Sequence, residues 1–229
     1  MVERADGTGT SGTRHELKTT TNNSWPGRNA QAFTLVELLV VISIIGIIAA
    51  MTVGAMSGAA AQRDLKAVEA QKAKLILAIE DYKGKFGSFP PDQPGGTVAQ
   101  AYMNPLAYEL GGVRRSGANF QAETDPNHVV TPAQLGTWFG LTGLLNATPS
   151  ATVRGKSFLN LKGGTGKTAD YVIDPSGAML LKVSADHPTL PENVWRYRSY
   201  PTNGHNPKSY DLWAEIKKKG GTNTISNWK

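Results

Sequence analysis

Glu37 is the only charged residue between Phe33 and Gln62, inside the run FTLVELLVVISIIGIIAAMTVGAMSGAAAQ. Insertion scales assign an acid at the centre of a membrane helix a cost of about 2.5–3.5 kcal/mol. A cost of that size calls for a partner, which makes Glu37 the first residue here with a claim to chemistry. The other candidates carry less. Gly163-Gly164-Thr165-Gly166-Lys167-Thr168 has the outline of a phosphate-binding loop, but the pattern needs a glycine where Leu161 stands. Ala169-Asp170 then lead into Tyr171-Val172-Ile173, a strand pattern where a phosphate loop needs a helix. The segment reads as a turn. His15, His128, His187 and His205 lack metal-ligand spacing, and no nucleophile–base arrangement can be drawn from the sequence distances. The expected role is not enzymatic and needs no cofactor.

The segment that must position Glu37 is thirty residues long, and about 20 apolar residues span a bilayer. Three readings compete. Ala59-Ala60-Ala61 ahead of Gln62 resemble a signal-peptide cleavage site, yet the apolar core of a signal peptide is only ~7–15 residues. An uncleaved anchor accounts for the length and leaves Glu37 idle. The third reading uses the residues around the acid. Charge does not set the orientation, because Arg14, Lys18 and Arg28 upstream are matched by Arg63, Lys66, Lys72 and Lys74 downstream.

Ala32-Phe33-Thr34-Leu35-Val36-Glu37-Leu38-Leu39-Val40-Val41 resembles the prepilin cleavage and methylation motif of the type IV pilin-like superfamily. The resemblance implies cleavage between Ala32 and Phe33 by a prepilin peptidase on the cytoplasmic side, then N-methylation of Phe33. The family usually has glycine where Ala32 stands. The resemblance also implies that the Glu37 carboxylate of one subunit meets the Phe33 amine of the next during assembly. Within one subunit the two groups would stand at i and i+4 on one helical face.

Gly46, Ala50, Gly54 and Gly58 recur every four residues through the apolar run, a small-xxx-small pattern that lets helices approach closely. Relatives commonly carry proline at the place of Gly54. Beyond Ala61 the pattern turns amphipathic, with Leu65, Val68, Leu75, Ile79 and Tyr82 on one stripe interrupted by Lys72. No proline falls between Phe33 and Phe89, so one helix from Phe33 to about Lys83 is expected, roughly 75 Å long. Gly84 and Gly87 are the expected stop, with Pro90-Pro91 beyond them.

After the helix, Asn104-Pro105 should open a short helix to Leu110. Thr131-Pro132 should open another to about Leu145, with Leu135, Trp138, Phe139, Leu141, Leu144 and Leu145 in the core. Tyr171–Ile173, a turn at Asp174-Pro175-Ser176-Gly177 and Ala178–Val183 read as a hairpin. Strands are expected at Val194–Tyr200 and Ser209–Ile216, with Trp195 and Tyr197 on the face toward the helix.

Asp81 to Pro90, and Tyr210-Asp211 through Gly220-Gly221 to Ile225-Ser226-Asn227-Trp228, resemble the major pseudopilin of type II secretion. That family commonly closes its end around calcium. Calcium needs 6–8 oxygen ligands, and only Asp211 and Glu215 are acidic after Glu192. They are weak candidates, and Lys217-Lys218-Lys219 stand where acids would help. With net charge +6 spread thinly, nothing points to nucleic acid, and the absence of cysteine excludes a disulfide.

The expected fold is α+β and pilin-like, a long N-terminal helix packed on a small antiparallel β-sheet head. The organisation is a leader at 1–32, a transmembrane and polymerisation helix at 33–62, its amphipathic continuation at 63–86, and a head at 87–229 with an insertion at about 92–168. The resemblance implies a single-pass inner-membrane subunit with a periplasmic head, polymerising with itself into a helical pseudopilus. Its implied partners are the prepilin peptidase, minor pseudopilins and an inner-membrane assembly platform, with a separate ATPase as motor. The alternative is a surface type IV pilin, although many of those close their C-terminal loop with a disulfide.

Overall fold

The computed structural model describes residues 33–229 except Gly95, Ala151, Lys219 and Lys229, and gives backbone alone for 53–59. The leader, Ala32 included, lies outside the described residues. Helix α1 runs Leu35–Phe86, and the chain divides after Ala49 into two compact units. In the first unit every described residue from Phe33 onward is exposed, despite its aliphatic character.

The part of α1 in the second unit shows why an amphipathic helix forms there. Val68, Leu75, Ala78, Ile79 and Tyr82 are buried, and Leu65 and Ile76 pack at their margin. Lys72 breaks the apolar stripe for a reason invisible in the sequence: its Nζ donates to the Ser226 carbonyl at 2.9 Å. Gln71 clasps the neighbouring chain, donating to the Lys182 carbonyl at 2.7 Å and accepting from Ser184 N at 3.1 Å. The helix ends one turn later than Lys83. Gly84 remains helical, and the stop is Gly87, which takes φ +77° and donates to the Lys83 carbonyl at 2.8 Å. Phe89 is then buried edge-on to Tyr210, with ring centroids 4.9 Å apart.

The sheet of the head is subdivided, where one small antiparallel sheet was expected. Residues in the 92–168 region build their own layer from α2 (Leu106–Gly111), β1 (Val113–Ser116), β2 (Asn119–Ala122), β3 (Val129–Val130), α3 (Pro132–Phe139) and β4 (Ala147–Thr148). The strand order is β3-β2-β1-β4, and β1 pairs with β4 in parallel. Asn104 does not act as a simple N-cap. It is buried, and its amide donates to the Ala101, Tyr102 and Trp195 carbonyls while its Oδ1 accepts from Leu106 N. Helix α3 opens with a capping box between Thr131 and Gln134, as Thr131-Pro132 suggests. It stops at Gly140 in the left-handed region, short of Leu145. Leu145 is 55 % exposed, outside the core in which it was expected.

The C-terminal strands follow the alternation of their residues. β5 (Tyr171–Ile173) and β6 (Met179–Leu181) form the hairpin, with Asp174 Oδ1 accepting from Ser176 N and Ala178 N across the turn. β7 (Arg196–Ser199), β8 (Tyr210–Lys218) and β9 (Gly221–Ser226) form an antiparallel sheet. Trp195 and Tyr197 are each 1 % exposed, on the core side. A bridge between Lys182 and Val194 joins the hairpin to this sheet.

Candidate functional site

At the head of α1, Thr34 and Glu37 hold each other. Thr34 Oγ1 accepts from Glu37 N at 3.2 Å, while Glu37 Oε2 accepts from Thr34 N at 3.0 Å and Thr34 Oγ1 at 2.9 Å. This is a capping box, Thr34 at N-cap and Glu37 at N3, and it satisfies two backbone N–H groups that the first turn leaves open. A carboxylate here also meets the positive end of the helix. The i to i+4 relation expected of Phe33 and Glu37 belongs to the chain after cleavage; in the full-length chain α1 starts at Leu35 and Glu37 bonds Thr34. Among the described residues no hydrogen bond uses Oε1, so one carboxylate oxygen is open to a second partner. The signal is legible in the sequence as Thr-x-x-Glu ahead of an apolar run, overlapping the residues of the cleavage motif.

Downstream of this cap, α1 is long and apolar enough to cross a membrane over Leu35–Thr52, with mean hydropathy 2.6 and none of that window buried. Its one interior hydroxyl, Ser43, donates back to the Leu39 carbonyl at 2.7 Å, so it needs no water. Gly46, Ala50, Gly54 and Gly58 all lie on α1. A side chain at Gly46 would meet nothing within 4 Å, so its surface is open to another helix. Steps of four residues advance by about 40° at 3.6 residues per turn, so the small positions wind around the helix. A straight partner cannot follow all four.

Residues 27–53 match the family model of the prokaryotic N-terminal methylation motif. The match brackets Phe33, Glu37 and Gly46, and ends at the apolar window; Ala32 falls within it but outside the described residues. No curated protein and no solved structure matches the chain. The motif is typical of the type IV pilin-like superfamily. An exposed apolar helix followed by an amphipathic helix on an antiparallel head is consistent with that fold.

The polar groups of the head are engaged in holding loops. Asp211 is buried and accepts from His205 N at 2.8 Å, Asn206 N at 2.9 Å and Asn206 Nδ2 at 3.0 Å. Glu215 faces cations or potential cations, with His187 Nε2 at 3.2 Å and Arg196 NH2 at 3.6 Å. Four residues apart on β8, the two carboxyls stand about 13 Å from each other along the strand. They do not converge on one ion. Among the described residues no group of three His, Asp or Glu side chains could hold a metal.

Lys167, the lysine of the phosphate-loop outline, reaches Asp64 at 3.0 Å and Asp186 at 3.3 Å. Those bonds hold its ammonium above the usual lysine range and tie the turn to α1. His128 sits against Tyr108, whose hydroxyl accepts from Met179 N, and burial pushes the imidazole down. His205 stacks on Trp228 at 4.1 Å. His15 lies outside the described residues.

One buried carboxylate escaped sequence reasoning altogether. Glu109 is fully buried on α2 and accepts from Tyr82 Oη, Leu145 N and Asn146 N, each at 2.9 Å. Burial raises its pKa against the pull of those three donors. It fastens the end of α1 to the middle region, a structural role that no local pattern announces.

Proposed function

We propose that this chain is a pilin-like structural subunit, cut between Ala32 and Phe33 by a prepilin peptidase, N-methylated at Phe33, and polymerised through α1. The observation that carries this reading is the methylation-motif match at 27–53, placed directly on a wholly exposed apolar helix. A helix apolar on all sides is stable either in lipid or inside a bundle of its own kind. One segment therefore serves as anchor before assembly and as filament core afterwards. The charge at Glu37 then belongs to the polymer. In the uncut chain Glu37 caps its own helix through Oε2; in the filament its open Oε1 receives the methylated Phe33 amine of a neighbour.

Within that class the reading is a type II secretion pseudopilus subunit, sited in the inner membrane with its head in the periplasm. The absence of cysteine favours it, because many surface pilins close their C-terminal loop with a disulfide. The partners are then copies of the same chain, minor pseudopilins and an assembly platform. Deleting the chain from its host tests the choice. Loss of secretion of folded proteins with surface filaments intact supports the pseudopilus, whereas loss of surface filaments with secretion intact makes it a surface pilin.

A further inference from the structure

Beyond assembly, the outer face of the C-terminal sheet carries a cavity of about 160 Å³. Asp211, Trp213 and Glu215 alternate along β8 and so share one face, opposite buried Leu212, Ala214 and Ile216. Strand register sets Arg198 beside Asp211, and Thr224 beside Glu215, on that same face. The loop through His205 is tied to it by Asp211, and His205 stacks on Trp228, which holds that ring in place. Trp213 and Trp228 meet with ring centroids 5.5 Å apart and planes at 64°, an aromatic corner on the cavity lining. About five waters at ~30 Å³ each would fill the space, room for one small ring.

The polar groups around that corner are unengaged. Neither indole N–H makes a hydrogen bond among the described residues, and neither is sealed from solvent as that of Trp195 is. The side chains of Arg198, Asn203 and Thr224, all on the lining, also make no hydrogen bond among those residues. Glu215 turns Oε2 to His187 and Arg196 and keeps Oε1 open. Charge narrows the ligand class. A carboxylate drawn to Arg198 meets Glu215 and Asp211, an ammonium drawn to those acids meets Arg198, and like charges brought together oppose binding. A wholly apolar ring would leave the open donors and acceptors without partners. A neutral ring with an apolar face and a polar edge suits both the corner and its rim.

We propose that this cavity binds one pyranose ring of a neutral saccharide. The C–H face of the sugar lies against the indoles, and its hydroxyls, each both donor and acceptor, meet Arg198, Asn203, Thr224 and Glu215 Oε1. The site lies wholly in the head, so its occupancy does not depend on cleavage at Ala32.

The test uses the full chain in micelles of a sugar-free detergent, labelled with ¹⁵N at tryptophan, and neutral tetrasaccharides of glucose, mannose, galactose and N-acetylglucosamine. At least one is expected to shift the indole N–H resonances of Trp213 and Trp228 and to leave that of Trp195 in place. Oligomers of galacturonate and of glucosamine should bind more weakly than that neutral sugar. Because Trp228→Ala could loosen the end of the sheet, the decisive variant is the exposed pair Asn203→Ala with Thr224→Ala. It should keep the melting temperature and lose at least about fivefold in affinity, the effect of two missing hydrogen bonds. Unmoved Trp213 and Trp228 resonances with all four sugars, tighter binding of a charged oligomer, or full affinity in the double variant would each overturn the proposal.

Discussion

Thr34 and Glu37 cap α1 reciprocally, through bonds of 3.2 Å in one direction and 2.9–3.0 Å in the other. The acid that looks costly in an apolar run is thereby placed in the first turn of its helix, where the backbone offers it donors and a favourable dipole. This gives Glu37 a structural task at the head of its own helix and leaves Oε1 for the polymer contact proposed above.

The two tasks separate by substitution. Glu37→Gln keeps an acceptor for the cap and removes the charge, while Glu37→Ala removes both. Membrane insertion should survive in each variant, and filament assembly, scored by electron microscopy, should be lost in each. Normal filaments from Glu37→Gln would reduce the residue to a cap.

At the other end of α1, Tyr82 donates to Glu109 at 2.9 Å. Glu109→Gln turns an N–H₂ toward donors and should cost about 1–3 kcal/mol, the usual penalty for an unpaired buried polar group. Burial raises the Glu109 pKa above the ordinary 4.5. The folded state therefore binds this proton more tightly than the unfolded chain does. The contribution is fully present below 4.5 and is lost as pH rises through the raised folded value. Denaturant melts between pH 4 and 8 should show this decline in the parent chain and a flatter profile in Glu109→Gln. An unchanged profile would assign the dependence elsewhere.

Lys72 interrupts an apolar stripe in order to reach the Ser226 carbonyl. Lys72→Met keeps the aliphatic stem and removes the donor, so it should cost about 0.5–1.5 kcal/mol. In a chain of this length that lowers the melting temperature by a few degrees, roughly 2–4 °C per kcal/mol. A more stable Lys72→Met would mean that the bond does not outweigh desolvation of the ammonium.

Calcium should leave the head unmoved. The Asp211 carboxylate already accepts three N–H bonds, and Glu215 faces His187 and Arg196. Titration with millimolar calcium is expected to shift the melting temperature by less than about 1 °C, since stabilisation requires binding to the folded state. A rise of several degrees would show a site that these bonds do not predict.

The sequence carried the periodic elements well. The long helix and the hairpin at Tyr171–Leu181 follow from apolar spacing and turn residues, which act locally. So does the aromatic face of Tyr197 on β7 and Trp195 just before it, both buried. What stayed hidden depends on contacts far apart in sequence. Lys72 and Ser226, or Tyr82 and Glu109 with Asn146, meet only once the head has closed. The separate layer around β1–β4 was unreadable for the same reason, because its strands are short and one pair is parallel. Gly84 stays helical while Gly87 takes the left-handed conformation that ends α1, and Gly140 ends α3 short of Leu145.

The most direct measurement is the N-terminus of the mature chain, read by mass spectrometry after expression with an active prepilin peptidase. The account predicts a chain beginning at N-methylated Phe33. A chain beginning at Gln62, or one retaining Met1, would contradict it.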